Sequence, residues 1–136
     1  PGTVHQAKFS MGTVLALVAE HGYAGLDEFD RHFLAPRIAA LRDKVTMQLD
    51  TEVDTAYPQR WIGKVIVRTQ DGRTLQARVD EPKGDPGNTL SRPELEDKAR
   101  RLAAYGGAAT LAEMDALIAR TWGVADAPRM GRWLPA

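Results

Sequence analysis

Acid–base and metal chemistry would call on histidines and clustered carboxylates. His5, His21 and His32 are spaced so that no two lie one helical turn apart, and none belongs to a metal-binding motif. Each reads as a capping or surface histidine. Asp27, Glu28 and Asp30 fall in the first turn of a helix, where anions offset the dipole, so they read as structural. The run Gly84-Asp85-Pro86-Gly87-Asn88 has the glycines of a phosphate cradle, but it lacks the lysine-serine ending of a P-loop and does not lead directly into a helix. Arg100 and Arg101 share their helix with Glu94, Glu96 and Asp97, which makes a solvated face of mixed charge. The stretch Ala7-Lys8-Phe9-Ser10-Met11 is different. A lysine and a serine there stand at the start of a largely apolar helix, with amides and a dipole nearby, and Lys8 and Ser10 are the candidate substrate-binding residues for a carboxylate. The plainer alternative is that they only cap and solvate that end. No residue is assigned as catalytic, no metal ligand is assigned and no cofactor is expected.

Composition narrows the class of protein. The 136 residues are 43% hydrophobic, enough for one core, and the chain reads as a single α+β unit over 1–136. Formal net charge is zero, so there is no bulk attraction to nucleic acid or to an anionic membrane, and neither is expected as a partner. Cysteine is absent, which excludes disulfides and thiolate chemistry and fits a cytoplasmic location. No apolar run approaches the roughly 20 residues of a membrane span. The opening Pro1-Gly2-Thr3-Val4-His5 leads almost at once into a helical pattern, as in a chain entered partway.

The elements that must position Lys8 and Ser10 follow from periodicity. Met11, Val14, Leu15 and Val18 recur at helical spacing, predicting a helix over 6–21 that Gly22 closes. Further helices are predicted over 27–34 and, from Pro36, over 36–43. Val45 to Asp50 alternates and predicts a strand over 45–50. Strands over 61–69 and 73–80 flank the turn signal Asp71-Gly72. A three-residue loop Gln70-Asp71-Gly72, with Gly72 left-handed, sets Val67 opposite Leu75 and Val65 opposite Ala77. A two-residue turn would mix apolar and polar side chains on each face. Trp61, Val65, Val67, Leu75, Ala77 and Val79 then form the expected core face, with Lys64, Arg68, Gln76 and Arg78 opposite. Ser91-Arg92-Pro93-Glu94 and Thr110-Leu111-Ala112-Glu113 are capping boxes opening helices over 92–105 and 110–122. In the first of these helices Leu95, Ala99 and Leu102 make the inward stripe, and in the second Leu111, Met114, Leu117 and Ile118 do. One more turn or two is expected in the tail from Asp126 to Leu134, carrying Met130 and Trp133. Helices and strands are segregated, which is the α+β pattern, and a small antiparallel sheet with two open edges calls for a further strand from missing sequence or from a partner.

Together, Ala7-Lys8-Phe9-Ser10-Met11, His21-Gly22, Leu26-Asp27-Glu28-Phe29, Asp71-Gly72-Arg73-Thr74 and Pro82-Lys83-Gly84-Asp85-Pro86-Gly87-Asn88, followed by Leu90, Ser91, Leu95 and Lys98, resemble the C-terminal part of the MmgE/PrpD family. The resemblance runs from Pro1 to about Ile118. The family includes 2-methylcitrate dehydratase, cis-aconitate decarboxylase and iminodisuccinate epimerase. The resemblance implies a lyase, most readily a carbon–oxygen lyase, or an isomerase, acting on small di- or tricarboxylates by proton abstraction without an obligatory metal. It also implies a homo-oligomer, usually a dimer, or an N-terminal helical domain as partner. The family's acid and base residues lie upstream of the matching segment, so this chain alone is expected to be inactive. Three positions depart from the pattern: Thr13 stands where an aromatic residue often follows the serine, Thr89 where proline often follows the asparagine, and Ala99 where phenylalanine often follows the lysine. A non-catalytic binding or assembly module with the same fold is the alternative reading.

Overall fold

The computed structural model describes residues 1–129 and 131. The chain divides into two compact units, Pro1–Gln48 and Leu49–Ala136. Its described elements are helices and an antiparallel hairpin, an α+β fold. No helix among the described residues is long and apolar enough to cross a membrane.

The first unit is helical. Helix α1 (Val4–Lys8) is capped by Thr3, whose Oγ1 accepts from Gln6 N–H at 3.2 Å. Helix α2 (Met11–His21) starts afresh after Ser10 and ends at Gly22, whose φ of 75° is the left-handed closure expected from the sequence. The single helix predicted over 6–21 is therefore two. Ser10 lies in extended backbone and its Oγ accepts from Thr13 N–H at 3.3 Å. This is the local bond by which serine favours a cap over a helix interior. The break also sets the buried face: Thr13, Ala16 and Leu17 are buried, while Met11 and Val18, two of the expected stripe, are about half exposed.

Helices α3 (Leu26–His32) and α4 (Pro36–Arg42) complete the unit. Glu28 accepts from Gly25 N–H at 2.8 Å and Pro36 occupies the first turn of α4, so each start satisfies or removes a donor. Ala7, Ala16, Leu17, Phe29, Phe33 and Ile38 form the core, with Val4, Val14, Ala24, Ala35 and Leu41 packed around it. Gly12 faces α4 closely: a Cβ there would stand 3.0 Å from Arg42 Cγ and 3.4 Å from the Arg42 carbonyl oxygen.

No strand forms over 45–50. The alternation of Val45, Met47 and Leu49 has no neighbouring strand to pair with, Met47 and Leu49 stay exposed, and Asp50 is used as a cap. Its Oδ1 accepts from Val53 N–H at 3.2 Å and opens α5 (Thr51–Ala56), a helix that the sequence pattern did not predict.

In the second unit, β1 (Gly63–Arg68) pairs antiparallel with β2 (Thr74–Val79). Val67 faces Leu75, Val65 faces Ala77, and Gly72 has φ 84°, as the facing argument requires. The apolar face is not a core, however. Trp61, Val67, Leu75 and Val79 are 47–61% exposed, and the buried residue at the hairpin's base is Ile62. A two-stranded sheet has no opposing layer of its own to close that face.

Helix α6 (Arg92–Gly106) and α7 (Leu111–Trp122) form an antiparallel pair, followed by a 3₁₀ turn at Val124–Asp126. That turn reaches only Asp126 of the expected tail; residues 127–129 are not helical, and Met130 and Trp133 lie outside the described residues. Arg100 pairs with Asp115 at 2.8 Å and the Arg92 guanidinium lies 4.6 Å above the Trp122 ring. Leu95, Leu102 and Leu111 are exposed, so much of both expected inward stripes remains open, while Ala103 is buried. At the start of α6, the Glu94 carboxylate accepts from Ser91 N–H and Ser91 Oγ–H, both at 2.7 Å. Ser91→Ala is expected to destabilise the chain by about 1 kcal/mol; denaturant midpoints identical to wild type would show that the cap contributes nothing.

Candidate functional site

Lys8 is the last residue of α1, exposed, and no carboxylate pairs with it among the described residues. Two positions on, Ser10 is half-buried at the start of α2, so the break between the helices brings the lysine to the positive end of the second dipole. Ser10 Oγ accepts from both Thr13 N–H and Thr13 Oγ1–H, the latter at 3.0 Å. Its own hydroxyl proton stays available for donation. The next two amides, Met11 and Gly12, meet no backbone acceptor in the described structure. The arrangement offers one cation, one hydroxyl donor and two amides, the donor set a carboxylate uses. Thr13 is fully buried and spends its hydroxyl on Ser10, so it offers a ligand nothing.

The other titratable groups are arranged for structure. His21 and His32 stack with ring centroids 4.6 Å apart, and His5 meets Phe9 edge-on at 5.0 Å. No group of three His, Asp or Glu among the described residues could hold a metal ion. Residues 81–89 close on themselves: Asn88 Nδ2 donates to the Glu81 carbonyl at 2.9 Å and Gly84 N–H to the Asn88 carbonyl at 2.8 Å. Lys83 reaches Glu94 at 3.0 Å and ties this loop to α6. Beside it lies an open cleft of about 250 Å³, lined by Gln59, Arg60, Trp61, Glu81, Asp85, Pro86 and Gly87.

Residues 1–123 match the MmgE/PrpD C-terminal domain. The chain belongs to the MmgE/PrpD family. No curated protein and no solved structure matches it. Sequence reasoning about this MmgE/PrpD chain missed one charged cluster. Lys64 Nζ donates to Asp50 at 2.7 Å and to Glu52 at 2.6 Å, and Arg78 holds Glu52 through two nitrogens at 2.7 and 3.0 Å and also pairs with Asp80. The signal was present in Lys64 and Arg78 on one hairpin face, but their partners come from a helix that the polar composition of residues 51–59 concealed.

These pairs pull the carboxylates in the direction opposite to that of a general base. Hydrogen bonds from Arg78 and Lys64 hold Glu52 down at about 2, and those from Ser91 and Lys83 hold Glu94 at about 2. A carboxylate so stabilised is a weak base at neutral pH. The consequence is for stability. Both pKa values are depressed on folding, so the contribution is complete above the ordinary value of 4.5 and is lost as pH falls towards about 2. The denaturation midpoint is expected to fall over that window, less steeply in Glu52→Gln and less in high salt, since both groups are exposed. Equal slopes for wild type and Glu52→Gln would disprove the assignment.

Proposed function

We propose that this MmgE/PrpD chain is the C-terminal part of a cytoplasmic lyase or isomerase that acts on small di- or tricarboxylates by proton abstraction, followed by dehydration, decarboxylation or epimerisation. Its own contribution is substrate binding. Lys8, the Ser10 hydroxyl and the amides of Met11 and Gly12 take one carboxylate of the substrate, as a positive helix end favours. The observation that carries this reading is the break at Ser10, which leaves an unpaired lysine beside a helix start in a chain of this family. Acid and base come from outside these residues, in an N-terminal helical domain or a partner subunit.

A second reading, a non-catalytic assembly module, is favoured by the uncovered apolar face of the hairpin. Anion binding separates the two. Titration of the ¹⁵N-labelled chain with citrate is expected to shift the amides of residues 8–13, and Lys8→Ala to weaken binding several-fold. Shifts elsewhere only, or an unchanged affinity in Lys8→Ala, would reject the carboxylate site.

A further inference from the structure

Three charged side chains line one cleft of the second unit and make no ion pair there. The cleft, open and about 250 Å³ in volume, is built from two segments: the one that leads into β1, with Arg60 and Trp61, and the loop after β2, with Glu81, Asp85 and Gly87. Among the described residues, the side chains of Arg60, Glu81 and Asp85 take part in no ion pair and no hydrogen bond, whereas Lys64, Arg78 and Lys83 are all paired. Arg60 feels the charge of Asp80, but Asp80 is already held by Arg78 at 2.6 Å, so the Arg60 guanidinium keeps its donors. The loop is tied down from within. Asn88 Nδ2 donates to the Glu81 carbonyl and Asn88 N–H to the Asp85 carbonyl, both at 2.9 Å. Gly87 makes room for the Glu81 side chain: its backbone is not left-handed, and a Cβ there would fall on the Glu81 carboxylate. The glycine therefore serves close approach rather than backbone freedom.

We propose that this cleft binds a free α-amino acid with an apolar side chain, its carboxylate on Arg60, its ammonium on Glu81 and Asp85, and its side chain against Trp61. Charge selects the class. A di- or tricarboxylate, the ligand proposed for Lys8 and Ser10, meets two carboxylates here and is repelled. A simple amine is drawn to those carboxylates but opposed by Arg60. A divalent metal needs more oxygen ligands than two side chains supply, and no group of three His, Asp or Glu among the described residues could hold one. A zwitterion satisfies the cation and both anions at once, through charge-assisted hydrogen bonds. Size and surface agree. About 250 Å³ falls just short of the roughly 300–1,000 Å³ of sites for drug-sized molecules, which suits a single amino acid better than a nucleotide cofactor. Trp61 is 61% exposed and is held edge-on by Tyr57, with ring centroids 5.4 Å apart, so an indole surface is fixed and open for an apolar side chain.

Titration of the ¹⁵N-labelled chain with L-phenylalanine is expected to shift the amides of residues 59–61 and 81–88 and the indole N–H of Trp61. Phenethylamine, which lacks the carboxylate, and phenylpropanoate, which lacks the ammonium, are each expected to bind several-fold more weakly. The variants assign the two ends. Arg60→Gln is expected to remove the preference for phenylalanine over phenethylamine and to keep that over phenylpropanoate, and Glu81→Gln to do the reverse. Gly87→Ala, which the backbone tolerates but which displaces the Glu81 carboxylate, is expected to weaken phenylalanine binding with helix content unchanged. A merely structural role for these residues would not separate the two analogues. Phenylalanine shifts absent from residues 59–61 and 81–88, equal binding of all three compounds, or preferences unmoved in both Arg60→Gln and Glu81→Gln would overturn the proposal.

Discussion

Leu17→Ala is expected to destabilise the chain by about 2–5 kcal/mol, a large share of the roughly 5–15 kcal/mol available to a protein of this kind. Leu17 is fully buried in a core shared with Ala16, Phe29, Phe33 and Ile38. Its truncation loses the transfer free energy of the removed methyl groups and leaves a cavity. The aromatic rings and β-branched Ile38 around it have few alternative rotamers with which to fill that space. Leu49→Ala removes the same atoms from a side chain that is 87% exposed, and is expected to change stability by no more than about 0.5 kcal/mol. Urea unfolding of both variants checks the contrast. A Leu17→Ala midpoint within error of Leu49→Ala would mean that the first unit has no packed core around α2.

The hairpin shows how far local chemistry carries. Gly72 in the left-handed region and the facing of Val67 with Leu75 follow from turn geometry and side-chain alternation alone, both of which act within a dozen residues. Whether that apolar face is covered depends on a second layer, which alternation does not encode, and the face stands open. The segment over 45–50 fails for the same reason: alternation makes a strand possible, but a strand exists only when a neighbour takes its backbone groups. At the candidate site the limiting factor was competition between signals. Periodicity running through Phe9 and Ser10 spoke for one long helix. Ser10 offered the backbone a side-chain acceptor for Thr13 N–H and won, placing Lys8 at a helix end rather than inside a helix. The capping boxes at Ser91 and Thr110 were legible because the bonds that make them lie within four residues.

Incubated alone with 2-methylcitrate, cis-aconitate or iminodisuccinate, the chain is expected to give no product and no exchange of the proton beside the carboxylate. That chemistry requires a positioned base, an acid for the leaving group, and donors for the charge that develops. The region around Lys8 and Ser10 offers only the donors. No histidine is oriented by a carboxylate in the described structure; His21 and His32 face one another and His5 faces Phe9. Glu52 and Glu94, whose pKa values fall to about 2, are held by cations and a helix start and are poor proton acceptors at neutral pH. A missing base or acid typically costs on the order of 10²–10⁴ in rate each, so the loss of both removes on the order of 10⁴–10⁸ from the rate of a complete site. Carboxylate binding, which asks only for donors and a cation, is expected to survive. Proton exchange followed by NMR in deuterated buffer reads both. Exchange or product formation by the chain alone would place a competent acid and base within these residues and refute the division of labour, whereas binding without exchange supports it.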